Sequence, residues 1–299
     1  MIAASWLWVV FTLLAAAGQT ARNAMQRELT AALGTVGATH VRFLFGFPFA
    51  IVFLIGVLAI GGYALPQPGL IFWPWVLLGA ITQIVATALM LAAMNDRSFV
   101  VTIVYIKTEA VQAAVFGLIF LGDPVTLAMV IAIVIATAGV VLMSFKRGTQ
   151  IAGNLKPMLL GLGAGAMLAL SASAYRGAIL ALEYPSFVPA ATYTLTAALV
   201  LQAALLTLYL AFTERDVLVA IARAWRPSLF AGFMGATASE FWFLAFALTS
   251  IANVRTLGMV EVLFAQAASF AIFKQATTQR EALGMLLIVA GVALLIWAQ

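Results

Sequence analysis

Residues 98–144 read SFVVTIVYIKTEAVQAAVFGLIFLGDPVTLAMVIAIVIATAGVVLMS. Two apolar runs flank Gly122-Asp123-Pro124, and each has about the 20 residues a helix needs to cross a hydrocarbon core. Glycine followed by proline ends one helix and bars its continuation, so the stretch is expected to form a transmembrane hairpin with Lys107 and Glu109 inside its first arm. A shift of 152 residues finds the pattern again: Ser98 falls on Ser250, Glu109 on Glu261, Ala113 on Ala265, Thr126 on Thr278, and Ala138-Gly139-Val140 on Ala290-Gly291-Val292. The chain reads as an internal duplication.

Composition sets the solvent. A 299-residue chain that is 65% hydrophobic and 8% charged cannot cover itself with a water-facing surface, so the bilayer is its medium. The net charge of +5 is carried by single Lys and Arg residues between apolar runs, where they orient spans, and no basic patch for nucleic acid exists. Without cysteine there are no disulfides, thiolate metal sites or cysteine catalysis. The run Ala4 to Ala24 has no positive flank before it and is too long for a signal-peptide core, so it reads as the first span.

Ten spans are expected: Ala4–Gln26, Thr39–Ile60, Ile71–Met94, Ser98–Leu121, Val125–Phe145, Pro157–Leu182, Phe187–Phe212, Pro227–Thr249, Ile251–Phe273 and Ala282–Trp297. The connectors hold the turn chemistry, as in Leu65-Pro66-Gln67-Pro68-Gly69, and only the Lys146–Lys156 link and the Thr213–Pro227 loop are longer. Weaker matches extend the duplication backwards, pairing Arg22 with Arg176, Thr39 with Thr192, Pro74 with Pro227 and Gly79 with Gly232. Residues 1–150 and 151–299 are therefore expected to be two five-helix repeats of one membrane domain. An odd number of spans inverts the second copy, giving an all-α bundle of two inverted repeats around a central cavity.

Positive charge outside the spans lies in the odd-numbered connectors, at Arg27, Arg97, Lys146, Arg147, Lys156, Arg215, Arg223, Arg226, Lys274 and Arg280. The positive-inside rule puts those connectors in the cytoplasm and both termini outside.

Polar residues inside spans are costly in lipid and mark a cavity or a partner. Helical spacing places Thr102, Tyr105, Glu109 and Gln112 on one face of the fourth span, with Lys107 pointing elsewhere. The third span offers Gln83 and Thr87, the first Gln19 and Asn23, the sixth Ser171 and Tyr175, and the eighth Glu240 and Phe243 with Trp242 beside them. Glu109 and Glu261, at equivalent positions, are expected to face each other near the centre. The competing reading is structural: Lys107, Arg176, Arg255 and Glu240 as members of buried ion pairs, and the aromatics as packing. The Gly/Ala tracts at 15–18, 161–166 and 232–236 mark close helix contact, and Pro48 beside Gly46 is expected to kink the second span.

Two five-span halves, each closing on a hairpin like Leu121-Gly122-Asp123-Pro124-Val125-Thr126 followed by an apolar run with Ala-Gly-Val, resemble the drug/metabolite transporter superfamily, specifically its ten-helix EamA-type permeases. The first-turn acid is Asp123 where Glu is usual, and the mid-helix proline common in the fourth span is absent. The resemblance implies a multi-pass transporter of a bacterial-type inner membrane, similar to exporters of aromatic and other amino acids, while plastid relatives exchange sugar phosphates. Gln19, Asn23, Gln83, Thr87, Tyr105 and Glu109 from the first half, with Tyr175, Glu240, Trp242 and Glu261 from the second, form the candidate substrate cavity.

The leading expectation is thus alternating-access export of small amphipathic metabolites such as amino acids. The alternative is exchange of anionic or phosphorylated metabolites, motivated by Arg22, Lys107, Arg176 and Arg255. An enzyme is disfavoured by the single His40 and the lack of a metal-ligand cluster or nucleophile elbow. The expected partners are a small-molecule substrate and the lipid bilayer, with no cofactor, no nucleic acid and no required oligomer. The charge distribution makes one direct prediction: a topology reporter fused after Gln299 is active in the periplasm, and a cytoplasmic signal from that fusion would reject the orientation.

Overall fold

The computed structural model describes residues 2–96, 105–144, 155–264, 266–267 and 278–298. Expectations resting on Arg97, Ser98, Thr102, Lys146, Arg147, Ala265 or Lys274 lie outside the described residues, as do the side chains of Asn23, Gln26 and Arg27.

Every regular element among the described residues is helical: α1 (Ile2–Leu44), α2 (Phe47–Gly61), α3 (Phe72–Asp96), α4 (Glu109–Phe116), α5 (Leu127–Ser144), α6 (Leu155–Ala181), α7 (Phe187–Thr213), α8 (Arg215–Arg223), α9 (Trp225–Leu248), α10 (Ile251–Leu257) and α11 (Gln279–Trp297). A π-helical turn, Gly117–Leu121, extends α4, and a 3-10 turn, Gly258–Val260, extends α10. Hydrocarbon favours this all-helical solution because each backbone N–H finds its partner within its own segment.

Among the described residues, six stretches are long and apolar enough to cross a membrane: Leu33–Gly61, Phe72–Ala93, Met158–Ala181, Phe187–Thr213, Trp225–Leu248 and Gln279–Trp297, with Leu127–Met143 a shorter apolar helix. Their outward residues are those of a lipid-facing surface, as with Val130 and Val134 of α5, which are exposed while Ile133 and Ala136 are buried.

Three expectations about boundaries change. The connector expected between the first two spans is helical, and α1 runs through it; the break is a single residue, Gly34, with φ 70 and ψ 178. An added Cβ there would meet nothing within 4 Å, so the demand on Gly34 is purely conformational. Nor does Pro48 kink a span. It lies in the first turn of α2, where its missing N–H costs nothing, and the chain breaks just before it at Phe45-Gly46. The expected loop at 213–227 is mostly α8, a short helix with a polar and an apolar face.

The Gly122-Asp123-Pro124 break forms as its chemistry requires. Gly122 adopts φ 67 and its N–H reaches the Gly117 carbonyl, a left-handed helix stop. The following helix, α5, starts with Thr126 Oγ1 accepting from Met129 N at 3.1 Å. At the position 152 residues on, Thr278 caps α11 in a full capping box with Glu281.

The chain forms two compact units, Met1–Ile84 with Ala174–Thr249, and Val85–Ser173 with Ser250–Gln299. In the first unit α9 packs on α1, α7 and α2. A methyl added at Gly18 would lie 3.1 Å from Ala238 Cβ, and one at Gly232 would lie 2.5 Å from Phe45, so the small-residue tracts do mark close approach. In the second unit α5 packs along α11. A methyl on Gly139 would strike the Gly284 carbonyl at 2.6 Å and Ile288 N at 2.9 Å; one on Gly291 would strike the Ala132 carbonyl and Ala136 N, both at 2.8 Å.

These backbones cannot separate without losing the interface. Gly139→Leu is expected to destabilise the folded protein by about 1–3 kcal/mol through overpacking. Gly56→Leu, at a glycine with open space around its Cβ, is expected to leave the thermal unfolding midpoint unchanged. Equal midpoints for both variants would refute the close α5–α11 contact.

Candidate functional site

Of the expected cavity residues, Gln19, Gln83, Tyr175, Glu240 and Trp242 fall in the first unit, and Thr87, Tyr105, Glu109 and Glu261 in the second. The Asn23 side chain lies outside the described residues.

In the first unit a continuous chain of polar and aromatic groups links five helices. Trp242 Nε1 on α9 donates to Gln19 Oε1 on α1 at 3.0 Å. The Trp242 ring stacks near Phe246 with centroids 6.1 Å apart; Phe246 lies 6.1 Å from Phe243, and Phe243 lies 4.7 Å from Tyr175 on α6. Tyr175 Oη donates to Gln83 Oε1 on α3 at 3.0 Å. Gln202 Nε2 on α7 then donates to the same Gln83 oxygen at 2.8 Å and lies 3.1 Å from Tyr175 Oη. Tyr175 is held in place because Gly79 faces it: a methyl there would come 2.5 Å from its ring.

This arrangement combines flat apolar faces with amides that both donate and accept, the equipment that orients an amphipathic small molecule. Four expected residues, Gln19, Gln83, Tyr175 and Trp242, are brought together. Gln202 was missed, although a single glutamine in the apolar run Val200-Leu201-Gln202-Ala203 was a signal; it is fully buried. Arg42 was also missed. It is 7% exposed and lies with Arg22, 4% exposed, beside Gly235 of α9. His40 meets Thr207, Nε2 to Oγ1, at 3.0 Å.

Arg176 is committed elsewhere, donating through one guanidinium nitrogen to the Phe246 and Thr249 carbonyls, each at 2.6 Å. Those carbonyls close the C-terminal end of α9, where a cation complements the helix dipole. Among the described residues, the side chain that Glu240 bonds to is Thr192 of α7.

In the second unit the buried charges pair. Lys107 Nζ donates to Glu261 Oε2 at 2.8 Å, and Arg255 lies 3.9 Å from Glu109 Oε1. Each acid of the duplicated hairpin therefore takes its base from the other hairpin. Glu109 and Glu261, expected to face each other near the centre, are each held in an ion pair, because opposite charges at bilayer depth cost far less together than alone. Lys107, assigned to a different face, is thus part of the same charged cluster. Tyr105 packs on Gly161, where a methyl would lie 2.6 Å from its Cβ, and Thr87 is buried. Among the described residues, no group of three His, Cys, Asp or Glu side chains is placed to hold a metal ion.

Removing one member of the tighter pair strands the other. Lys107→Met is expected to cost about 3–5 kcal/mol of stability, and Lys107→Met with Glu261→Met to recover most of it. Thermal unfolding of the detergent-purified variants measures this, and a double variant no more stable than the single would remove the pairing as a source of stability.

Comparison with known proteins finds a likeness of fold and a partial likeness of sequence. Among solved structures, one titled only "Crystal structure of protein" superposes with a TM-score of 0.74 at 16% sequence identity, covering 99% of each chain, a likeness of fold. No curated protein sequence matches. Residues 6–145, which hold Gln19, Gln83, Tyr105, Lys107 and Glu109, are matched by a family model. That model describes the EamA-like transporter family, to which this stretch of the chain is similar.

Proposed function

We propose that the protein exports small amphipathic metabolites, aromatic and other amino acids foremost, across a bacterial-type inner membrane by alternating access. The observation that carries the substrate class is the Gln19–Trp242–Phe246–Phe243–Tyr175–Gln83 chain, in which aromatic faces run between amide groups on separate helices. An aromatic amino acid has the matching chemistry: a flat apolar ring for the faces, and ammonium and carboxylate groups for amide oxygens and N–H donors.

Alternating access draws support from reciprocity in the second unit. Under the 152-residue shift Gly139 corresponds to Gly291, Ala132 to Gly284 and Ala136 to Ile288, so the Gly139–Gly284 and Gly139–Ile288 approaches are answered by Gly291–Ala132 and Gly291–Ala136. Contacts of the form i with j, and j's copy with i's copy, are those of a two-fold relation. Thr126 and Thr278 capping equivalent helices fit the same relation. Two inverted copies give a carrier two near-equivalent states that open to opposite sides.

The anion-exchange reading needs bases committed to substrate. Lys107 and Arg255 are instead paired with Glu261 and Glu109, and Arg176 is bound to backbone carbonyls.

Counterflow of labelled amino acids and sugar phosphates in liposomes tests the proposal. Phenylalanine or tyrosine is expected to exchange and sugar phosphates are not. Trp242→Ala is expected to weaken aromatic substrates about tenfold more than small ones, the value of one good aromatic contact. Exchange of sugar phosphates alone would overturn the substrate assignment, and an equal loss for large and small amino acids would reduce Trp242 to packing.

A further inference from the structure

Among the described residues, Glu109, Glu240 and Glu261 are acids set away from the helix ends facing solvent, and two of them, Glu109 and Glu261, are neutralised by Arg255 and Lys107. Glu240 is different. It sits on α9 within about 5 Å of that helix's midpoint, at 1.5 Å per residue. Among the described residues it has no ion-pair partner, and its Oε2 is fully buried without a hydrogen bond.

Among the described residues, the charged and titratable groups on the elements packed against α9 are otherwise engaged or exposed; on α6, Arg176 donates to the Phe246 and Thr249 carbonyls and Tyr175 to Gln83. On α1, Arg22 and Arg42 lie against Gly235, and His40 meets Thr207. On α7, Tyr193 packs on Phe72. On α8, Arg215 donates to the Ala211 carbonyl, while Asp216 and Arg223 sit at the surface. The α2 helix has no charged residue. On α9 itself the nearest polar group on the same face is Thr237, three residues back, whose Oγ1 is also buried without a partner.

What Glu240 does have is one hydroxyl. Thr192 Oγ1 is within hydrogen-bond distance of both Glu240 Oε1 and the Val188 carbonyl, the latter at 2.9 Å, but a threonine has a single hydrogen to donate. The two bonds form together only when Glu240 carries a proton. Its O–H then donates to Thr192 Oγ1, which donates onward to Val188. When Glu240 is ionised, Thr192 turns its hydrogen to the carboxylate and gives up Val188. The site therefore accepts or releases a proton by rotation of one hydroxyl, with no backbone movement.

We propose that Glu240, relayed by Thr192, is the proton-binding site that couples transport to the pH gradient. The proton binds Glu240 from the water on one side of the membrane and leaves it on the other. The coupling rests on the transporter reading, and its test separates the two.

Wild-type protein is reconstituted with an entrapped pH dye, and counterflow of labelled phenylalanine is measured first. An imposed substrate gradient is then expected to change lumenal pH, and a pH gradient to stimulate uptake by about tenfold, within the usual range of coupling between sites. Glu240→Gln is expected to lose both pH effects, each read relative to the variant's own counterflow, and Glu240→Asp to keep them; pH effects of wild-type size in Glu240→Gln overturn the site. Thr192→Val, which removes the relay, is expected to shift the midpoint of the pH dependence by about one unit. Counterflow without proton movement in the wild type overturns the coupling and leaves the transporter reading intact, whereas absence of counterflow overturns both. If Glu240→Gln does not fold, the wild-type dye signal and the Thr192→Val midpoint decide, and an unshifted midpoint overturns the site.

Discussion

A polar group in hydrocarbon has no water to fall back on, and this constraint accounts for most of what the chain does. The backbone answers it by staying helical, even through the segment between the first two spans where composition reads as a connector. Buried hydroxyls answer it by donating to the carbonyl four residues earlier, as Thr12 does to Trp8 and Thr194 to Ala190. Buried bases answer it with a partner, either a carboxylate, as for Lys107, or the open carbonyls at the end of a helix, as for Arg176. Against that background Glu240, a carboxyl in the middle of α9 with no ion-pair partner among the described residues, is the exception.

Helix association in lipid has little hydrophobic drive, so it depends on how near two backbones come. The glycines supply that nearness with division of labour. Gly139, Gly284 and Gly291 let α5 and α11 touch along their length, while Gly79 makes room for a whole ring, that of Tyr175. The first kind of contact holds a unit together. The second positions a side chain that also bonds to Gln83, so close packing and the candidate substrate contacts are one feature on α3 and α6.

Much of this was legible in the residues. The hairpin at Gly122-Asp123-Pro124 was readable because a left-handed glycine followed by proline has few other uses, and the Gly/Ala tracts were readable because close contact needs small side chains. Gln19, Gln83, Tyr175 and Trp242 were found because helical spacing groups polar residues by face. Spacing says nothing about partners far along the chain. An ion pair for Lys107 was among the readings, but its partner could not be named because Glu261 lies 154 residues away, and Gln202 was passed over because one glutamine makes no periodic pattern. The extent of α1 escaped for a different reason: Gly34 and Gly37 look like a loop, but a single φ of 70 turns the helix without ending it.

The two ion pairs of the second unit also bear on membrane voltage. Two acids and two bases sum to zero, and each pair is neutral by itself. A field of 100 mV does about 2.3 kcal/mol of work on one elementary charge carried across the bilayer, but none, to first order, on a neutral pair carried with it. A movement that carries both pairs together would thus do no electrical work, to first order. Within the second unit a resting potential bears on a charge that passes these pairs and not on the pairs themselves.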